Sequence, residues 1–248
     1  MPAICEANVF VVPLSVNEAQ YADYERLLNG EERARADRFL LPELRRRFVA
    51  CRGRLRSLLA EATASSASEL RFVYQQWGKP TLPRPRQRAE LHFNVSHSQE
   101  WALIALAQSP LGVDFEFAQE RLNPRALAAQ ILSPEERPAW DGLPPSDRAL
   151  ATLPLWVCKE ALLKALGLGI AEGLQQVSFP LPLPREGAFA PRAIDASLQL
   201  HLEDDGSCRT NHWIDSRAWR VQFLDILPDS HAALCTSAAI RQVNVIRL

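Results

Sequence analysis

The stretch WVCKEALLKALGLG, Trp156 to Gly169, carries its charges where a buried helix should have none. At the helical period Leu155, Cys158, Leu162, Ala165 and Leu166 form one apolar arc. Trp156 and Val157 are apolar too and flank Glu160 and Lys164 on the other side, with Lys159 beside the main arc. A helix that is apolar nearly all round is normally buried. Burying unpaired charge is costly, so these side chains need compensating charge. Glu160 and Lys164, four residues apart, can alternatively pair on a helix surface for a few tenths of a kcal/mol. Pro154 starts or kinks the helix, and Gly167 and Gly169 end it in a tight turn.

Upstream, GVDFEF alternates: Val113, Phe115 and Phe117 face one way, Asp114 and Glu116 the other. Two carboxylates two residues apart on a strand are either a solvated face or a pair of hard oxygen ligands that suits Mg²⁺. Before it, LHFNVSHSQEWALIALAQ reads as a half-buried strand, a turn and a returning strand. Ser96 and His97 at that corner can donate hydrogen bonds to a phosphate, or can be a turn serine and an exposed histidine. No G-x-S-x-G elbow, Walker A loop or G-x-G-x-x-G fingerprint occurs.

NVFVVPL is a first strand, and Glu18 to Arg38 reads as polar helix and turn. Pro42 to Ala60 reads as an amphipathic helix with Leu44, Phe48, Cys51, Leu55 and Leu58 inward and six arginines around them. Helices are expected over Asn123 to Leu132 and Pro134 to Trp140, the second entered through Ser133. The last third reads as strands: LQQVSFPL, ASLQLHL, WRVQFLDIL and HAALCTSA. DSHAALCTSA echoes SHSQEWALIALA, which hints at two related halves meeting near Gly112.

The chain has 248 residues, is nearly half hydrophobic and has a formal net charge of −1. That length supports one large domain or two smaller ones. The balance points to neither nucleic acid nor an acidic membrane. Five scattered cysteines form no Cys-x-x-Cys pair, as in a reduced, cytoplasmic protein. Neither a signal peptide nor a membrane-spanning run is apparent.

Taken in order, four blocks resemble the 4′-phosphopantetheinyl transferases of the surfactin-synthetase-activating (Sfp) type. They are WGKP at Trp77–Pro80, FNVSHS at Phe93–Ser98, GVDFE at Gly112–Glu116, and WVCKEALLKALGLG. The last fits the family pattern W-x-x-K-E-A-x-x-K-x-x-G-x-G at every fixed position. The resemblance implies an α+β fold of two similar halves in pseudo-twofold arrangement, residues 1–111 and 112–248, with the active site between them. It also implies transfer of phosphopantetheine from coenzyme A to a serine of an acyl or peptidyl carrier protein, leaving adenosine 3′,5′-bisphosphate. Alternatives are a carrier-binding module without turnover and a Mg²⁺-dependent phosphohydrolase.

By the same resemblance, Asp114, Glu116 and Glu160 look like Mg²⁺ ligands, Glu160 like a general base, and Lys164 like the phosphate-contacting lysine. Asp114 and Lys164 also count among the coenzyme A contacts. Ser96 and His97 match a pair at the 3′-phosphate, and Lys79 and Arg47 match basic positions at the nucleotide, with Arg35 as an addition. Glu32 stands where some relatives have a basic residue near the adenine. Phe115 departs from the usual Ile after the Asp, and Pro124 comes later than the usual Pro. Ser133 and Glu136 match an S-x-x-E segment without an assigned role, and Lys159 is fixed by the motif alone. Some arginines between Arg38 and Arg56 are expected to steer an acidic carrier. No nucleic acid or membrane partner is expected, and a duplicated chain is expected to be a monomer.

Overall fold

Two helices of 22 residues each, every one packed on a four-stranded sheet, frame the protein. The computed structural model describes residues 6–83, 90–118, 123–168, 173–184, 187–189, 191, 193–194, 200–203, 209–212 and 216–248. In chain order the strands and helices are β1 (Glu6–Pro13), α1 (Glu18–Leu27), α2 (Gly30–Ala36), α3 (Pro42–Thr63), β2 (Val73–Tyr74), β3 (Pro80–Thr81), β4 (His92–Ser98), β5 (Trp101–Ala107) and β6 (Leu111–Phe117). There follow α4 (Pro124–Ile131), α5 (Arg137–Asp141), α6 (Pro145–Leu166), β7 (Val177–Ser178), β8 (Ala188–Phe189), β9 (Ala193–Ile194), β10 (Leu200–Glu203), β11 (Arg209–His212), β12 (Trp219–Phe223), β13 (Ser230–Ser237) and β14 (Gln242–Arg247).

The first sheet runs β14-β1-β5-β4 and the second β6-β13-β12-β8. Helix α3 packs Val49, Leu55 and Leu59 with Val12, Phe93 and Ile104 of the first sheet. Helix α6 packs Leu155, Cys158 and Leu162 with Val221, Ala233 and Cys235 of the second. The opposite faces, Val9, Val11 and Leu103 against Val113, Phe115 and Leu234, share a third cluster. The alternation of each strand therefore feeds two cores, giving a helix–sheet–sheet–helix order. This is the expected α+β architecture of two similar halves.

Local differences from the sequence reading have local causes. Glu18 to Arg38 forms two helices, because Asn17 and Asn29 each start one with a capping box. Helix α6 begins at Pro145, so Pro154 lies inside it. LQQVSFPL begins as a 3₁₀ turn, Leu174–Gln176, before β7. Gly169 and part of ASLQLHL lie outside the described residues. Strand β14 was not anticipated: it pairs in parallel with β1, from Glu6↔Gln242 to Val11↔Arg247. The segment assigned to the second half thus gives its last strand to the first sheet.

Two glycines set how β6 and α6 meet and where α6 ends. A Cβ on Gly112 would lie 2.2 Å from the Ala161 carbonyl oxygen and 2.3 Å from the Ala165 nitrogen. Strand β6 can therefore touch the backbone of α6 only because Gly112 has no side chain. Gly167, with φ of 72°, closes α6 in the left-handed region. Gly112→Ala should push β6 off α6 and destabilise the fold by about 3 kcal/mol, near the upper end for overpacking. Urea denaturation measures this, and an unchanged midpoint would contradict the close approach.

Candidate active site

The edge strands β4 and β6 meet beside α6, and the motif side chains converge there. Lys164 Nζ lies 2.6 Å from Asp114 Oδ1 and 3.6 Å from Glu160 Oε2. It also donates to Ser96 Oγ at 3.3 Å. Ser96 Oγ donates to Asp114 Oδ1 at 2.9 Å, and Ser98 Oγ donates to Glu116 Oε2 at 2.8 Å. Asn94 Oδ1 accepts from the Val113 amide at 2.9 Å. Asn94, Ser96 and Ser98, on the polar face of the half-buried strand β4, are buried against β6. His97 points to the other, exposed side.

Asp114 and Glu160 thus share one ammonium, and Glu116 lies close enough to feel its charge. Glu160 is pushed up to about 7, first by burial and then by the Asp114 carboxylate, against the pull of Lys164. Glu116 is raised by burial, which the Ser98 hydrogen bond partly opposes. His97 is lowered by burial, then by the charges of Lys164 and Arg35. His97 therefore lies within electrostatic reach of both the carboxylates and Arg35. Arg35 lines a separate pocket with Glu31, Glu32, Arg38, Arg52 and Tyr74.

Asp114, Glu116 and Glu160, read as one metal site, lie close enough for their charges to act on one another. Among the described residues, however, no three His, Cys, Asp or Glu side chains are grouped to hold a metal ion. The Lys164 ammonium stands between Asp114 and Glu160.

Lys159 is fully buried and faces away from this cleft. Its Nζ lies 2.6 Å from Glu136 Oε2 and donates to the carbonyls of Ile131, Leu174 and Val177 at 2.5, 2.7 and 2.8 Å. Glu136 in turn accepts from the Ser133 and Phe179 amides. The two residues left without a role by sequence are partners, joining α4, α5, α6 and the segment into β7.

Lys79, assigned to the nucleotide, is engaged elsewhere. Its ammonium donates to the carbonyls of Lys164, Ala165 and Leu111 at 2.5, 3.3 and 3.3 Å. Burial lowers it to about 8. It caps the end of α6, where cations complement the exposed carbonyls. Arg47 is paired with Glu100. Glu32 is buried in an ion pair with Arg56 at 2.7 Å. Arg45 pairs with Glu25 and Asp37, and Arg46 with Glu18, so much of the arginine run is spent inside its own half.

Sequence reasoning missed Asn94, Ser98 and the pairing of Lys159 with Glu136. Ser98 had a signal: Ser96 and Ser98 share the two-residue spacing of Asp114 and Glu116.

Removing one member of a buried ion pair strands the other. Lys159→Met should cost about 4 kcal/mol, and Lys159→Met with Glu136→Leu should recover much of it. Urea titration of the single and double variants measures the coupling. Glu160 gives a pH signature. The folded protein holds its proton more tightly than the unfolded chain, so its contribution is present below about pH 4.5 and lost as pH rises through about 7. Without divalent cations, Glu160→Gln should raise Tm by several degrees at pH 8, and the excess should shrink by pH 5. An excess independent of pH would refute the raised acid.

Two family models match the chain. One, described as the 4′-phosphopantetheinyl transferase superfamily, covers residues 110–224, and the other, its N-terminal domain, covers residues 15–109. The 4′-phosphopantetheinyl transferase HetI of Nostoc sp. is 35% identical over 88% of this chain and 91% of its own. The 4′-phosphopantetheinyl transferase Sfp of Bacillus subtilis is 31% identical over 72% of this chain and 82% of its own. A phosphopantetheinyl transferase of Thraustochytrium sp. is 31% identical over 84% and 77%. With the carboxylates of β6 set against Glu160 and Lys164 of α6, these matches show that the chain belongs to the 4′-phosphopantetheinyl transferases.

Proposed function

We propose that the cleft between β4, β6 and α6 binds coenzyme A with Mg²⁺ and passes its phosphopantetheine arm to a serine of an acyl or peptidyl carrier protein. The observation that carries this reading is the convergence of Asp114, Glu116, Glu160 and Lys164 in a chain of this family. The residues fit a hard cation. Asp114 Oδ2 is buried with no hydrogen-bond partner among the described residues, and Lys164 alone does not balance three carboxylates. Asp114, Glu116 and Glu160 would hold the ion, with Lys164 moving toward phosphate. When bound, Mg²⁺ neutralises charge on the pyrophosphate and in the transition state.

Glu160 takes the proton of the carrier serine, directly or through water. The serine oxygen forms a bond to the pantetheine-bearing phosphorus. The pyrophosphate P–O bond breaks, and its electron pair leaves with adenosine 3′,5′-bisphosphate. Lys164 steadies that leaving phosphate as a point charge. His97 and Arg35 hold the 3′-phosphate from the other side of β4, with Arg47 nearby on α3. Ser96, bonded to Asp114, bridges the two regions. Lys79 is assigned to the helix end rather than to the nucleotide. Among the described residues no helix is long and apolar enough to cross a membrane.

Incubation with coenzyme A, Mg²⁺ and an apo carrier protein should add one phosphopantetheine to the carrier, read by mass spectrometry. Binding without mass gain would support a module without turnover, and loss of coenzyme A without gain a phosphohydrolase. Glu160→Gln should lower transfer at least about a hundredfold, the lower end for losing acid–base catalysis, while the protein stays folded. Retained transfer would refute its role.

A further inference from the structure

Three alternate side chains of β4 reach across to β6. Asn94 accepts from the Val113 amide, Ser96 donates to Asp114, and Ser98 donates to Glu116, at 2.9, 2.9 and 2.8 Å. All three are nearly buried, 7, 5 and 9% exposed. The two strands belong to different sheets, so backbone pairing does not set their distance or register. These side chains do it instead. The spacing of two residues on one strand matches the spacing of two on the other, and both carboxylates are held from the same side.

Asp114 has a second restraint, Lys164. Glu116 has no ion pair among the described residues, and Ser98 donates a hydrogen bond to it. Glu116 is also the less buried of the two, at the end of β6. Without Ser98 its side chain would keep more rotamer freedom, and each ordered use of it would cost that freedom again.

We propose that Ser98 is a positioning residue. Its hydroxyl fixes Glu116 through Oε2, leaves Oε1 to face the cleft beside Asp114 and Glu160, and so sets the affinity for the divalent cation. Asn94 supports it by fixing the register of β4 against β6. This rests on the proposed cation site. A partner that orients a metal-binding carboxylate is typically worth about tenfold to a hundredfold in metal affinity.

The test is Mn²⁺ binding to the intact protein, followed by electron paramagnetic resonance of free Mn²⁺, for wild type, Ser98→Ala, Ser98→Thr and Glu116→Gln. Thermal melting of each without metal is measured alongside. Ser98→Ala should weaken Mn²⁺ binding about tenfold, leave Tm within a few degrees, and raise the Mg²⁺ concentration for half-maximal transfer more than it lowers kcat. Ser98→Thr, which keeps the hydroxyl, should restore binding. Should Ser98→Ala not fold, Ser98→Cys keeps the volume and weakens the donor, and is read in the same way.

Wild-type affinity in Ser98→Ala, with weakened binding in Glu116→Gln, would overturn the role of Ser98 and leave the cation site standing. Mn²⁺ binding that neither substitution weakens would overturn the cation site at Glu116, and the inference with it. A loss in Ser98→Ala that Ser98→Thr does not restore would show that the hydroxyl is not what matters, and would also overturn it.

Discussion

Lys159 and Glu160 are neighbours on one helix, both buried, and each needs a different remedy for its charge. Lys159 has a complete one: Glu136 and three carbonyls surround its ammonium. An ammonium has three donors, so one is shared among the four acceptors. Such a pair is weak evidence for added stability, because desolvation offsets much of the attraction. Its value is positional. No other rotation of α6 gives Lys159 those acceptors, and successive helix residues differ by roughly 100°. Fixing Lys159 toward α5 therefore fixes Glu160 toward β6.

Glu160 has no such remedy. It faces Asp114 and Glu116, and Lys164 answers only part of their charge. The same helix thus carries one ion pair satisfied within the fold and one charge excess left open to the cleft. A site built to take up cationic charge needs that excess. A fold optimised only for stability would have removed it.

The motif residues were legible because chemistry constrains their type and spacing locally. Asp114 and Glu116 on one strand face, or Glu160 and Lys164 one turn apart, need only the period of the element. What was not legible came from contacts distant in sequence. Glu136 lies 23 positions before Lys159, in a segment whose own pattern says only that a helix begins. Lys79 matched a basic position at the nucleotide by resemblance alone. Only the tertiary structure shows its ammonium turned onto the end of α6. Strand β14 is a short run, only half of it apolar, and its parallel partner lies at the opposite end of the chain. The cover on the polar face of β4 was not legible for the same reason: period two reports which residues share a face, not what packs on it.

Apart from the pair of Lys159 with Glu136, which lies within the second half, these contacts join the two halves. Lys79 and the β4 side chains come from the first half and act on α6 and β6 of the second. Strand β14 runs the other way, from the end of the chain into the first sheet. The apolar cluster between the sheets supplies cohesion but little geometric selectivity, since apolar contact is non-directional. Hydrogen bonds fix distance and register. The protein places them where the halves meet, at the carboxylates and at the end of the helix that carries Lys164. The precision of the site therefore comes from the junction, and neither half would hold the carboxylates and Lys164 in place alone.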